Sequence, residues 1–397
     1  MGTKVNPGRQ YALDTLMGVD RHESIERAAQ QWNCTERDRA LAWHIVYGVL
    51  RRRGQLDEIL HRNVKGGLKR LKPLVLSILR IGLFEVLFSR TPPHAAISQA
   101  VELTKRSKHR FASGLVNAVL RKSQDSKLGS TLLNAPEWLQ PYFEKNPDWL
   151  VQKPKVHIAL AKLSDCPIQD SHPYSDTVDS LYTVNGSVIN LVEWPGYEEG
   201  QWWIMDPAAA RVVDMGVQAI GNPKTFTAID CCAAPGGKTW RLISKGARVT
   251  STDLSEYRLE RLREGAKRLK MSPIIQQWDW SSAPLSGHET VDLVLVDAPC
   301  SGTGVIRRHP EIRWNRKKTD ILANQIIQRQ IISNASQLVK PNGVLVYSVC
   351  SILPQEGLDV ANSLSGWSVY KQLTTYPTLS DEDGFQIFVL KKDRRND

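Results

Sequence analysis

Two cysteines, Cys300 and Cys350, follow apolar runs that end abruptly, and both lie in turns built to expose a side chain. Cys300 sits in Asp297-Ala-Pro-Cys-Ser-Gly-Thr-Gly304, directly after Val294-Leu295-Val296, and Cys350 closes Val344-Leu345-Val346-Tyr347-Ser348-Val349. A thiolate is a strong nucleophile, yet a free thiol with a pKa of about 8.5 is only a few per cent ionised near neutrality. A nearby cation is therefore needed, and Lys238 is the candidate, at the end of a third strand-and-turn stretch, Asp230-Cys-Cys-Ala-Ala-Pro-Gly-Gly-Lys-Thr239. One sulfur adding to a ring carbon, a second cysteine or a bound water taking a ring proton, and the Asp297 carboxylate at the base edge together suit covalent catalysis on an electron-poor ring. Cytosine C5 is such a centre: it attacks a methyl group only after a nucleophile has added at C6. The ordinary fate of a free cysteine is burial as a small apolar residue. That reading serves for Cys34, Cys166 and Cys231, and Cys232 is expected to line its turn by backbone alone. At 300 and 350 the strand ends favour chemistry.

The turn from Cys232 through Ala233, Ala234, Pro235, Gly236, Gly237 and Lys238 leaves its backbone open to a ligand and leads into a helix N-terminus, which favours negative charge. It nearly spells a P-loop, but Cys232 stands where the first glycine belongs, so a nucleotide triphosphatase is one reading. The other ligand is S-adenosylmethionine, whose ribose needs a carboxylate at the end of the next strand. Asp253 and Asp279 end the second and third expected strands, and Asp297 the fourth; acids at successive strand ends favour the adenosyl ligand.

These residues need a sheet whose carboxyl edges share one crevice. From Trp202 onward, strands (225–230, 248–253, 274–279, 292–297, 343–348) alternate with helices (239–244, 256–269, 319–339, 355–364). The alternation predicts an α/β fold, a doubly wound, mostly parallel sheet. The pieces 368–373 and 385–390 are expected as a hairpin on its edge. Before residue 125 the apolar spacing is helical throughout, with Gly82, Pro92 and Pro93 as breaks and separate helices at 38–50 and 56–60. The expected division is thus an all-α bundle over 1–125, a proline-punctuated connector over 126–200 without strand alternation before about residue 180, and the sheet domain over 201–397.

Charge is one-sided. Residues 1–122 carry 22 lysines and arginines against 10 acids, whereas 123–397 carry 30 against 31. A basic domain suits a polyanion, with Arg51, Arg52, Arg53, Lys105, Arg106, Arg307 and Arg308 as candidate RNA contacts and Trp314 as a stacking candidate. The 41% hydrophobic content is that of a globular chain. No apolar run is long enough to span a membrane, and the start, 1–11, has neither a signal-peptide core nor a myristoylation pattern. A cytoplasmic protein is expected. Six cysteines with no Cys-x-x-Cys and no paired histidines exclude a disulfide framework and argue against structural zinc.

The stretches 230–239, 297–304 and Tyr347-Ser-Val-Cys-Ser-Ile-Leu-Pro-Gln-Glu356 resemble the RNA cytosine-5 methyltransferases. Asp38-Arg-Ala40, Gly48-Val-Leu-Arg51, Leu79-Arg-Ile-Gly82 and Val116-Asn-Ala-Val-Leu-Arg121 resemble the helical domain of the antitermination factor NusB. The combination is similar to the bacterial RsmB/Sun/Fmu family, over roughly 1–122 and 196–395. The resemblance implies a Rossmann-like S-adenosylmethionine-dependent methyltransferase sheet preceded by a NusB-like bundle. It also implies 16S ribosomal RNA as partner, free or in an early assembly particle, no metal and a monomer. It makes Cys350 the nucleophile and Cys300 the aid to product release, with residues 232–238, Asp253, Asp279 and Asp297 on the cofactor or target base. The chain departs from the family at Val349 (usually Thr) and Gly357 (often Asn). Its 123–200 stretch is also short and lacks the Arg-x-Asn of the small RNA-binding subdomain, Thr183-Val-Asn185 being a faint echo. A decayed, non-catalytic RNA-binding assembly factor is the non-enzymatic alternative, against which the intact motif residues speak.

Overall fold

The computed structural model describes residues 5–30, 32–162, 166–175, 178–185, 191–376 and 381–393. The polar opening at 1–4 lies outside them. Two compact units form, one from residues 1–153 with 306–316, the other from 154–305 with 317–397.

The first unit is helical: α1 (Pro7–Val19), α2 (Ile25–Ala29), α3 (Glu36–Asn63), α4 (Pro73–Phe88), α5 (Pro93–Arg106) and α6 (Ser113–Ser123). Asn6, Ser24 and Thr35 cap the first three through side-chain oxygens that accept backbone N–H bonds, and proline opens α1, α4 and α5. The core joins Ile45, Val49, Leu56, Ile59, Ile78, Leu79, Leu103, Val116 and Leu120. Two expected breaks are corrected. The segments 38–50 and 56–60 are one 28-residue helix, α3. Gly82 does not interrupt α4 but lies buried within it, where a Cβ would meet Leu120 Cδ1 at 2.6 Å and Ala100 Cβ at 3.0 Å; it is the small residue that lets helices approach.

Strands begin earlier than the sequence pattern suggested. β1 (Val156–Leu160), β2 (Ser171–Ser175), β3 (Val178–Val184) and β4 (Trp202–Ile204) form an antiparallel sheet ordered β2-β3-β1-β4. The last four residues of β1 are all buried, so no alternation marks it. Thr183 and Val184, in the faint Arg-x-Asn echo, belong to β3, and Asn185 follows it.

Then come α7 (Pro207–Ala219), β5 (Phe226–Asp230), α8 (Gly237–Ser244), β6 (Ala247–Asp253), α9 (Glu256–Leu269), β7 (Ile274–Gln277) and β8 (Val291–Asp297). After α10 (Ile312–Asn315), which belongs to the first unit, follow α11 (Lys318–Ser336), β9 (Val339–Val349), the four-residue α12 (Leu358–Ala361), β10 (Trp367–Thr374) and β11 (Gln386–Lys392). The seven-stranded sheet runs β10-β11-β9-β8-β5-β6-β7, parallel from β9 to β7, with the expected antiparallel hairpin on one edge. This is the expected doubly wound α/β architecture. Chain order reverses at β5, so a crevice opens beyond the carboxyl ends of β5 and β8. The small sheet packs on the α8–α9 side, Leu181 and Trp203 sharing a cluster with Trp240, Leu262 and Leu269.

Candidate active site

Asp230 and Asp297 reach that crevice, and Cys350 follows the end of β9 beside them, because β5, β8 and β9 are adjacent and in register. Asp230 pairs with Leu295, and Asp297 with Ser348. Past the ladder, Ala298 N–H donates to Ser348 O (2.9 Å) and Gly304 N–H to Cys350 O (3.0 Å). The two turns thereby stay side by side, and Cys300 Sγ lies 3.4 Å from Cys350 Sγ, both sulfurs half-buried. The hydrogen bond with Cys350, followed by burial, pushes the Cys300 thiol well above its ordinary value, so Cys300 keeps its proton.

Lys238 Nζ sits 2.5 Å from Asp297 Oδ2. Burial alone would lower its ammonium, but the Asp297 carboxylate outweighs burial, Cys350 adds to the pull, and the net shift is upward. A protonated amine is thus fixed within electrostatic reach of Cys350. Asp297 Oδ1 accepts from Ser348 Oγ (2.9 Å), so the carboxylate is held at both oxygens.

The 232–238 turn is fastened from behind. Ala233 N–H donates to Thr252 O (2.9 Å), and Ala234 N–H to Asp253 Oδ2 (3.2 Å). Ala234–Pro235 is cis, and Gly236 has φ +116° at the head of α8, where a Cβ would strike the Trp240 indole at 2.5 Å. Around Gly237 a Cβ would meet nothing within 4 Å, leaving a free approach to the backbone. Asp230 is fully buried; Thr239 Oγ1 donates to its Oδ2 (2.8 Å), while its Oδ1 has no partner. Burial raises this carboxyl to about 7. The cleft is lined by Met205, Asp206, Asp230, residues 232–235, Gly237, Lys238 and Asp297. An open glycine, an orphaned carboxylate oxygen and a fixed ammonium fit a ligand carrying both an amino and a carboxylate group.

Several expectations shift. Cys232 lines the cleft as well as forming its turn, and burial, then Asp253, pushes its thiol up. Cys231 is core, as expected. Asp253 stands behind the turn, accepting from Ser255 N–H (3.0 Å) and paired with Arg258 (3.3 Å). Asp279 lies two residues past the end of β7 and accepts from the hydroxyls of Ser281 and Ser282, which lower its pKa; it does not line the cleft. The sequence reading missed Asp206, at the head of α7, where it accepts from Ala208 N–H and Asp383 N–H. Its Asp-Pro spelling, a helix-start signal, could have drawn attention to it.

The RNA candidates are corrected more sharply. Arg51 is buried and donates to Arg307 O (2.9 Å), and Arg307 is itself fully buried. Trp314 packs against the helical core, its indole N–H donating to Leu50 O (2.8 Å). Arg52 lies over the Phe88 ring (4.2 Å), Arg53 pairs with Asp20 (2.8 Å), and Arg308 is half-buried. The reason is tertiary: residues 306–316, remote in sequence, belong to this unit and bond to that turn of α3. Lys105 and Arg106 remain exposed, both near Glu102. Among the described residues no helix is long and apolar enough to cross a membrane.

Residues 220–388 match the family described as 16S rRNA methyltransferase RsmB/F, and residues 6–125 match the NusB family. Ribosomal RNA small subunit methyltransferase B of Salmonella paratyphi A and of Salmonella typhi are each 32% identical over 362 residues, 83% of this chain and 82% of theirs. The crystal structure of PH0851 superposes with a TM-score of 0.77 over 99% of this chain and 100% of that one, at 21% identity. A methyltransferase homolog from Pyrococcus horikoshii gives 0.52 over 66% and 97%, at 20% identity. At such identities the likeness is one of fold.

Proposed function

The chain belongs to the RsmB/F family of 16S ribosomal RNA methyltransferases, and on that footing we propose that it methylates C5 of a cytosine in that RNA, using S-adenosylmethionine and a covalent adduct on Cys350. The observation that carries this reading is the 3.4 Å approach of the Cys300 and Cys350 sulfurs beside the Lys238–Asp297 pair.

S-adenosylmethionine supplies the electrophilic methyl group. Residues 232–238 hold it, with Asp230 and Asp206 on the cleft wall; Asp253 supports the turn. The target base leaves its stack to reach the sulfurs. The Cys350 thiolate, favoured by the Lys238 ammonium, adds to C6; the S–C6 bond forms and the ring electron pair moves to C5, where the new C–C bond is made as the methyl–sulfonium bond breaks and its electron pair stays on the departing thioether sulfur. Asp297 steadies the base edge. The C5 proton then leaves to water, the C5–C6 double bond returns, and the S–C6 bond breaks. Cys300, keeping its proton, hydrogen-bonds the departing sulfur.

The test uses S-adenosylmethionine labelled in its methyl group and bisulfite sequencing of 16S rRNA. Cys350→Ala abolishes transfer, and Cys300→Ala accumulates a protein–RNA adduct stable on a denaturing gel. Full activity of Cys350→Ala would refute the assignment.

A further inference from the structure

The β8–β9 ladder ends at the Asp297–Ser348 pair. Both cysteines lie beyond it, in turns that no further strand pairing holds. Chains leaving a sheet edge diverge unless something ties them, and a misplacement of about 1 Å can cost a reaction about 100-fold.

The bonds from Ala298 N–H to Ser348 O and from Gly304 N–H to Cys350 O tie the two backbones, and a carboxylate adds the side-chain tie. Glu356 is wholly buried, five residues after Ser351. Its Oε1 accepts from Ser301 N–H (2.7 Å) and Asn324 Nδ2 (2.8 Å). Its Oε2 accepts from the hydroxyls of Ser301 and Ser351, the latter at 2.6 Å. Ser301 follows Cys300 and Ser351 follows Cys350, so one carboxylate grips the residue next to each thiol. Thr303 Oγ1, 3.1 Å from Ser351 Oγ, adds a second link, and Tyr347 O–H donates to Glu356 O (2.6 Å), anchoring the grip to β9. Four donors offset the cost of burying this charge, which an apolar or neutral residue would not incur. A purely space-filling role would not need an acid here.

We propose that Glu356 is a positioning residue whose carboxylate, by binding Ser301 and Ser351 together, sets the separation of Cys300 and Cys350. Its carboxylate bonds run to Ser301, Ser351 and Asn324 rather than to either sulfur, and its charge adds to the rise of the Cys300 thiol. The proposal rests on the thiol chemistry above for its meaning, but its geometry does not depend on that chemistry.

The effective concentration of the thiol pair measures the separation directly. Purified full-length protein is equilibrated in glutathione redox buffers, with neither RNA nor S-adenosylmethionine, and the Cys300–Cys350 disulfide is quantified by peptide mass spectrometry. Glu356→Gln keeps the shape but turns one acceptor into a donor; Glu356→Asp keeps the charge but loses the reach. Both are expected to lower the effective concentration at least tenfold and methyl transfer by at least as much, while calorimetry finds S-adenosylmethionine affinity within about twofold of wild type. Folded variants with the wild-type effective concentration overturn the proposal, even if transfer falls. If neither variant folds, Ser351→Ala, which removes a single donor, must give a smaller fall in the same direction, and no fall overturns it. Wild-type protein that transfers no methyl group, with variants that still loosen the thiol pair, would sink the functional reading and leave this one standing.

Discussion

Lys238 Nζ lies 2.5 Å from Asp297 Oδ2, so one ion pair joins the first turn of α8 to the end of β8. It ties the 232–238 turn to the turn that bears Cys300 and keeps the amine charged where Cys350 can feel it. Lys238→Met removes the charge and leaves Asp297 without its ion-pair partner. Alkylation of Cys350 by iodoacetamide at pH 7.5 is expected to slow by about tenfold, since a cation near a thiol favours the thiolate. An unchanged rate would show that the ammonium does not serve the nucleophile.

Gly304 ends the Asp297–Gly304 motif for a steric reason. A Cβ there would lie 1.8 Å from Gly384 O and 3.0 Å from Cys350 O, and these are backbone atoms that cannot swing aside. Gly304 also donates its N–H to Cys350 O and accepts from Gly384 N–H. Gly304→Ala is expected to cost about 2–3 kcal/mol in urea unfolding. Transfer should fall about 100-fold as the turns part.

Asp230 makes stability depend on pH. Its folded value of about 7 lies above the ordinary 3.8, so the folded chain binds this proton more tightly than the unfolded one. That contribution is complete below the ordinary value and is lost as pH rises through 7. Asp230→Asn, which keeps an acceptor for Thr239, removes the dependence. In chemical denaturation it should match wild type near pH 4 and exceed it above pH 7, by at most roughly 4 kcal/mol, the worth of about three pKa units. Equal stabilities at pH 8 would contradict the burial argument.

Exposed and buried arginines should separate in salt titrations. Lys105→Glu with Arg106→Glu is expected to weaken 16S rRNA binding about tenfold and flatten the log–log salt dependence by about one to two units. Arg51→Ala instead removes a buried guanidinium bonded to Arg307 O, and should appear in thermal melts as a loss of about 2 kcal/mol. A wild-type salt slope in the double variant would remove these residues from the RNA surface.

The parts of the sheet domain that were legible are those governed by local rules. Apolar runs stopping at Asp230, Asp253 and Asp297 read as strands because β-branched residues fit a two-sided buried sheet, and the strands end within two residues of those acids. The third strand was overextended: Asp279 caps a turn, a role its sequence cannot distinguish from ribose binding. In 156–184 pattern failed because both faces of β1 are covered, and His157 points inward to Thr183 Oγ1 at 3.1 Å. The split of α3 fails because Arg51-Arg-Arg-Gly-Gln55 breaks the apolar spacing, yet Arg51 and Gln55 are buried and the helix runs straight through them.

The sequence by itself determined which reactive residue types are available, two thiols, a lysine and an acid, each placed at a strand end or turn by short-range pattern. Only the tertiary structure decided that the sulfurs meet. Residues 300 and 350 are fifty positions apart and past the last ladder pair, where strand register no longer governs distance. Their separation depends on a buried carboxylate at 356 that collects donors from both turns, and on Gly304 leaving room for them. Such bonds join residues remote in sequence, so no local spacing announces them.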